Sequence, residues 1–232
     1  MTKSGGAGGT IVGVLGGIGP EATAEFYTKL FAALRAKHTI AKNTDYPQIV
    51  INSIPAPELL YEQISDSDLL PYVEGVRQLD QFGVDIIAMV CNTIHLYYGQ
   101  LQQAVATPII NLPAEVEKHL KAEGIRKMCV LGTPNTISQG LYTIDGIENI
   151  TLTAHHISDL SNAILNYNVG IDQLQQQRIT ESIAKAYLGF GAEKIVLGCT
   201  EIAVMLKGSN LPAVNTIDIL ADAVVRRLDG NG

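Results

Sequence analysis

Residues 82–91 read FGVDIIAMVC, and residues 190–199 read FGAEKIVLGC. Each begins at the close of a helical stretch, passes a glycine and an acidic residue, and runs through apolar residues to a cysteine. A short apolar run that is entered from glycine and left at a polar, helix-starting stretch is the pattern of a strand buried in a parallel sheet. The same pattern occurs twice, and the neighbouring sequence repeats with it. Val14-Leu15-Gly16 ends one strand and Val130-Leu131-Gly132 another, at comparable intervals before the two cysteines. After each cysteine comes a short helical stretch and then Pro108-Ile109-Ile110-Asn111 or Pro212-Ala213-Val214-Asn215.

These repeats predict an α/β fold made of two similar parallel-sheet βαβ halves, related by pseudo-twofold symmetry, with the functional site in the cleft between them. Strands are expected at Thr10–Leu15, Gln48–Ile51, Asp85–Val90, Pro108–Ile110, Met128–Leu131, Ile150–Ala154, Lys194–Leu197 and Ala213–Asn215. Pro20 suits the first turn of the first helix, where its missing N–H costs nothing. The first half takes residues 1–108 together with 216–232, because the last helix, about Ile217–Leu228, is expected to return and pack on it. The second half takes residues 109–215. No stretch between them is rich enough in Gly, Ser or Pro to act as a flexible linker.

Composition narrows the function. The chain has 232 residues, 47% hydrophobic and 17% charged, which is the make-up of a globular protein. Its net charge of −7 offers no basic surplus for a nucleic-acid backbone. No apolar run approaches the roughly 18 residues of a membrane-spanning helix. The glycine-rich start has no signal-peptide character, so a cytoplasmic protein is expected. Three cysteines without a Cys-x-x-Cys pair argue against a disulfide framework or a structural zinc. His38, His155 and His156 lack companion ligands at helical spacing, and no metal site is read.

Three segments place small or polar groups where a strand ends and a helix begins: Gly16-Gly17-Ile18-Gly19-Pro20, Cys91-Asn92-Thr93 and Cys199-Thr200-Glu201. Helix starts present unpaired N–H donors that suit an anionic ligand. They also lower a thiol pKa from its usual ~8.5, so Cys91 and Cys199 either are activated, exposed thiols sensitive to oxidation or pack as small buried apolar residues. Cys129, inside an apolar run, reads as a core residue. His95, four residues after Cys91, either supports the site or packs as a structural histidine, and Glu201 either lines the cleft or favours a helix dipole. The glycine loop is not Gly-x-Gly-x-x-Gly, and no Walker-type loop occurs, so nucleotide binding is disfavoured.

Residues 14–23 (VLGGIGPEAT), 91–95 (CNTIH) and 197–202 (LGCTEI) together resemble the aspartate racemase branch of the aspartate/glutamate racemase superfamily. The resemblance covers nearly the whole chain. It implies a cofactor-independent racemase interconverting L- and D-aspartate, with Cys91 and Cys199 as thiolate and thiol on opposite faces of the α-carbon, and with neither pyridoxal phosphate nor metal. It further implies substrate contacts from Gly17, Ile18, Asn52, Gln63, Asn92, Thr93, Thr133, Thr136 and Thr200, with Glu201 and His95 in support, and a homodimer. Other reactions of the superfamily on small dicarboxylic acids, glutamate racemisation and maleate isomerisation among them, are alternatives. So is a non-catalytic, two-lobed dicarboxylate-binding protein. The chain departs from some relatives in one respect: residues 55–63 and 158–168 contain no Lys or Arg for a distal carboxylate, leaving Tyr61 or Gln63 as neutral donors.

Overall fold

The computed structural model describes residues 9–55, 59 and 65–230. In chain order, β1 (Ile11–Gly16), α1 (Pro20–Lys37), β2 (Gln48–Ser53), α2 (Asp66–Phe82), β3 (Ile86–Met89), α3 (Tyr98–Gln103) and α4 (Leu112–Ala122) form the first part. The second comprises β4 (Lys127–Gly132), α5 (Pro134–Ser138), β5 (Glu148–Asn149), α6 (Ala154–Asn168), α7 (Gln173–Gly189), β6 (Lys194–Gly198), α8 (Thr200–Met205), β7 (Ala213–Asn215) and α9 (Thr216–Leu228). One sheet has the order β2-β1-β3 and the other β5-β4-β6-β7, and every pairing is parallel.

The duplication read from the sequence is present in the backbone. The expected strand at 108–110 is only a bridge, Ile109 to Ile87 beside β3, in the place that β7 takes beside β6. This bridge keeps Ile109 with the first sheet, just past the expected boundary. Asn111 and Asn215 then cap α4 and α9, their side chains accepting the N–H of Ala114 and Ile217. The acidic residues of the repeated segments act alike. Asp85 accepts the Ile11 N–H at the start of β1, and Glu193 accepts the Arg126 and Lys127 N–H groups at the start of β4. Each carboxylate thereby fixes where its neighbouring strand begins.

A second strand differs from expectation. The second-half edge strand is Glu148–Asn149, not Ile150–Ala154. The Thr153 N–H donates to the Tyr187 hydroxyl at 2.8 Å, and the Thr153 side chain caps α6. That backbone donor is therefore taken from the sheet, and the chain turns into a helix.

The larger apolar cluster runs from Val12 and Val14 of β1, through α1 and α9, to Val130 and Leu131 of β4 and Val196 of β6. The two halves share this core. A smaller cluster covers the other face of the first sheet, with Leu15, Met89, Tyr72 and Val76. The helix α9 packs on α1. Ion pairs Lys29–Asp218 (2.7 Å) and Lys37–Asp222 (3.4 Å) run along the contact, and the His38 ring lies 3.3 Å from Asp229. These pairs are partly exposed, so the stabilisation comes chiefly from the apolar face beneath them, where Phe26, Leu30 and Leu34 are fully buried. Among the described residues, no helix is long and apolar enough to cross a membrane. Leu30→Ala is expected to cost about 2–5 kcal/mol in urea unfolding. Because the core is common, the loss should appear in one transition rather than two.

Candidate active site

In parallel sheets the carboxyl ends of the strands face the ligand. Here β1, β3, β4 and β6 all send their following turns into one cleft of about 400 Å³. Its floor consists of buried residues: Cys91, Asn92 and Thr93 after β3, Thr133 after β4, and Cys199 and Thr200 after β6. Ile18, Ala22, Ile164, Tyr167 and Val204 form apolar walls, while Glu21, Asn168 and Val169 are exposed at the rim.

The glycine loop is shaped by close approach. Gly17 and Gly19 have φ of +85° and +87°, which side-chain-bearing residues rarely adopt. A Cβ on Gly17 would stand 2.4 Å from the Ile54 carbonyl oxygen, and one on Gly19 would stand 2.2 Å from Glu201 Oε1. The Glu201 carboxylate thus lies directly against the loop. No side chain caps α1, α8 or the 3-10 turn Thr93–Tyr97, all of which begin at the cleft. Their first-turn N–H groups are the natural partners of a carboxylate.

Burial sets the state of the thiols. Cys91 and Cys199 are 8% and 5% exposed. Desolvation pushes Cys91 up to about 12, and the negative charge of Glu201 adds to it, outweighing the backbone N–H groups of Ile94 and Thr93 that pull the other way. Cys199 is raised well above the ordinary thiol value by burial, and again by Glu201, whose Oε2 accepts its Sγ–H at 2.8 Å. Both cysteines are therefore held as protonated thiols, neither exposed nor activated. Cys129, enclosed in β4, is likewise pushed to about 12 by burial.

Two hydrogen-bond systems hold the floor across the halves. Thr93 Oγ1 lies 3.1 Å from Thr133 Oγ1 and 3.0 Å from Thr136 Oγ1, and the latter two are 3.1 Å apart. Asn92 receives the Tyr142 hydroxyl on Oδ1 and donates through Nδ2 to Thr216 Oγ1 at 3.1 Å, which in turn donates to the Leu197 carbonyl at 2.9 Å. Tyr142 is buried beside both thiols, and burial holds its pKa well above the ordinary tyrosine value. It lies in the turn after α5 with no motif around it, and nothing in the sequence marks it.

Of the residues expected at the site, Gly17, Ile18, Cys91, Asn92, Thr93, Thr133, Cys199, Thr200 and Glu201 line the cleft. The Gly17 N–H is already used, donating to Thr23 Oγ1 at 3.0 Å. Three expected residues are not in the lining. Asn52 turns to α2, donating to the Gly75 carbonyl and to Gln78 Oε1, because its side chain leaves β2 on the side that α2 covers. Thr136 sits behind Thr93 and Thr133 as their partner. His95 is a core residue, 4% exposed, with no full hydrogen bond to either ring nitrogen and its ring stacked near Tyr98. Gln63 and Tyr61 lie outside the described residues. Among the described residues no cluster of His, Cys, Asp or Glu is arranged to hold a metal ion.

The sequence pattern of the Asp/Glu/hydantoin racemase family matches residues 15–224. The chain belongs to this family. As a racemase of the family it is similar to a broad-specificity amino-acid racemase of Bacillus subtilis, 26% identical over 93% of this chain and 96% of that one. Its fold is that of an aspartate racemase from Picrophilus torridus, with a TM-score of 0.80 at 24% identity over 95% and 94% of the two chains. A glutamate racemase from Francisella tularensis, solved with D-glutamate, shares the fold at a TM-score of 0.67 and 16% identity, over 97% of this chain and 82% of that one. The two-halved α/β architecture is thus the architecture of racemases in this family.

Two measurements check the electrostatics. A disulfide reagent at pH 8 should modify Cys91, Cys129 and Cys199 slowly in the native protein and fully in urea, since the thiolate is the reactive form. Burial, outweighing the nearby Met89 backbone, pushes His95 down to about 4, from 6.5 for a free imidazole. Above pH 6.5 the folded and unfolded chains both keep it neutral. Below that, only the unfolded chain takes up the proton, so stability should fall by about 3 kcal/mol as the pH drops to 4. His95→Leu should flatten that slope in urea titrations.

Proposed function

We propose that the protein racemises a free α-amino acid without a cofactor, Cys91 and Cys199 acting on opposite faces of the α-carbon. The observation that carries this reading is the placement of the two thiols. They occupy equivalent positions after β3 and β6 of two equivalent half-sheets, and both line one cleft. A reaction that inverts a carbon centre needs a base on one side and an acid on the other, and a duplicated half-site supplies both.

One thiol first becomes thiolate. For Cys199 the hydrogen-bonded Glu201 carboxylate is positioned to take the proton, and an α-ammonium entering the cleft supplies the positive charge that favours ionisation. The thiolate then removes the α-proton, leaving a planar carbanion whose charge spreads into the α-carboxylate. The opposite thiol gives its proton to the other face. The pair ends with its roles exchanged, so it titrates as one coupled unit. The uncapped starts of α1, α8 and the 3-10 turn, with Thr93, Thr133 and Thr200 on the floor, are donors for the carboxylate oxygens where that charge develops.

Aspartate is the substrate that the sequence motifs imply, and its amino-acid end has the partners just described. Its second carboxylate meets no Lys or Arg among the described lining residues. The same resemblance supports a homodimer, which sedimentation would check. A binding protein without catalysis would require neither cysteine, and the matched pair weighs against it.

The test is proton NMR in deuterated water, with L-aspartate and a panel of other L-amino acids, no cofactor, and chiral analysis of the products. Loss of the α-proton signal with appearance of the D-enantiomer is expected for at least one of them. Cys91→Ser and Cys199→Ser should each lower the rate at least about 100-fold, as expected for loss of an acid or base, while Cys129→Ala retains it. Equal losses in all three variants would refute the assignment.

A further inference from the structure

The floor of the cleft holds the part common to all amino acids, so the walls and rim choose the side chain. Among the described lining residues there is no Lys and no Arg, whereas Glu21 and Glu201 both contribute. The cations of the adjoining helices are committed elsewhere: Lys29 pairs with Asp218, and Lys207 pairs with Glu25 at 2.7 Å. A second carboxylate bound here would stand in a field of its own sign, without a counter-charge among the described residues.

The surfaces that are present suit a different ligand. Ile164, Tyr167 and Val204 are apolar walls between the buried floor and the rim. At the rim, Glu21 stands in the first turn of α1, exposed, with the Tyr167 hydroxyl near enough for the carboxylate to raise its pKa further, after burial. Aliphatic stems lie along apolar walls while their charged ends stay in water, which is the layout found here.

Building on the racemase reading, we infer that the cleft takes an amino acid with an aliphatic stem and a cationic end, of the lysine or ornithine class. Ile164, Tyr167 and Val204 hold the stem, Glu21 pairs with the terminal ammonium, and the second carboxylate of aspartate is rejected. Glu201 remains with the thiols and the α-ammonium, so the two carboxylates serve different ends of one substrate.

The experiment compares L-lysine, L-methionine and L-aspartate, using α-proton exchange in deuterated water for turnover and calorimetric titration for binding, with wild type, Glu21→Gln and Glu21→Lys. Lysine should exceed aspartate in kcat/KM by at least roughly tenfold, an ion pair's worth of discrimination in a partly open site. Glu21→Gln should lower the lysine-to-methionine ratio by raising KM for lysine, and Glu21→Lys should shift the ratio towards aspartate. Aspartate turning over faster than lysine in wild type would overturn the inference and leave the racemase reading standing. Lysine bound in preference to aspartate without exchange of any α-proton would uphold this selectivity and overturn the racemase reading. Absence of both binding and exchange for all three would overturn both.

Discussion

A parallel sheet gathers the starts of its following helices along one edge, and joining two such sheets over a common core turns both edges towards one space. Everything at the site depends on that junction. The core from Val12 and Val14 to Val130 and Val196 holds the halves together without a linker, and the helix α9 closes the chain back onto α1. Neither half alone brings two thiols to one cavity. The hydrogen bonds of Thr93 with Thr133 and Thr136, and of Asn92 with Tyr142 and Thr216, span the same seam and fix the floor from both sides.

That enclosure also sets the electrostatics. Helix starts favour thiolates, but the desolvation of Cys91 and Cys199 outweighs those donors, and Glu201 adds its own negative field. A buried acid pair of this kind is held in its neutral, unreactive form until something positively charged enters.

Much of this was legible in the sequence because it is carried by local, repeated patterns. The paired runs ending at Cys91 and Cys199 disclosed the duplicated sheet, and Pro20 announced the first helix. What was not legible depends on three-dimensional context. Thiol ionisation follows from burial, which no motif records. The Asn52 side chain leaves β2 on the wrong side of the sheet for the cleft, a matter of which face α2 covers, and His95 falls inside the core rather than beside Cys91. Tyr142 reaches Asn92 across the seam from a turn without any sequence signature, whereas Glu21 stood within the glycine-loop motif and could have been weighed as a rim charge. The edge strand at Glu148–Asn149 was misplaced because the competing partner of its neighbour Thr153 is a tyrosine hydroxyl from a distant helix.

The contact of Gly19 with Glu201 gives that glycine a meaning besides backbone freedom. With its carboxylate oxygen 2.2 Å from where a methyl group would stand, Glu201 occupies space that only hydrogen leaves open. A side chain there would drive the carboxylate away from Cys199 and weaken the grip on its proton. The loop is therefore a spacer for an electric field, and the proton affinity of one sulfur is encoded in an atom that position 19 does not have.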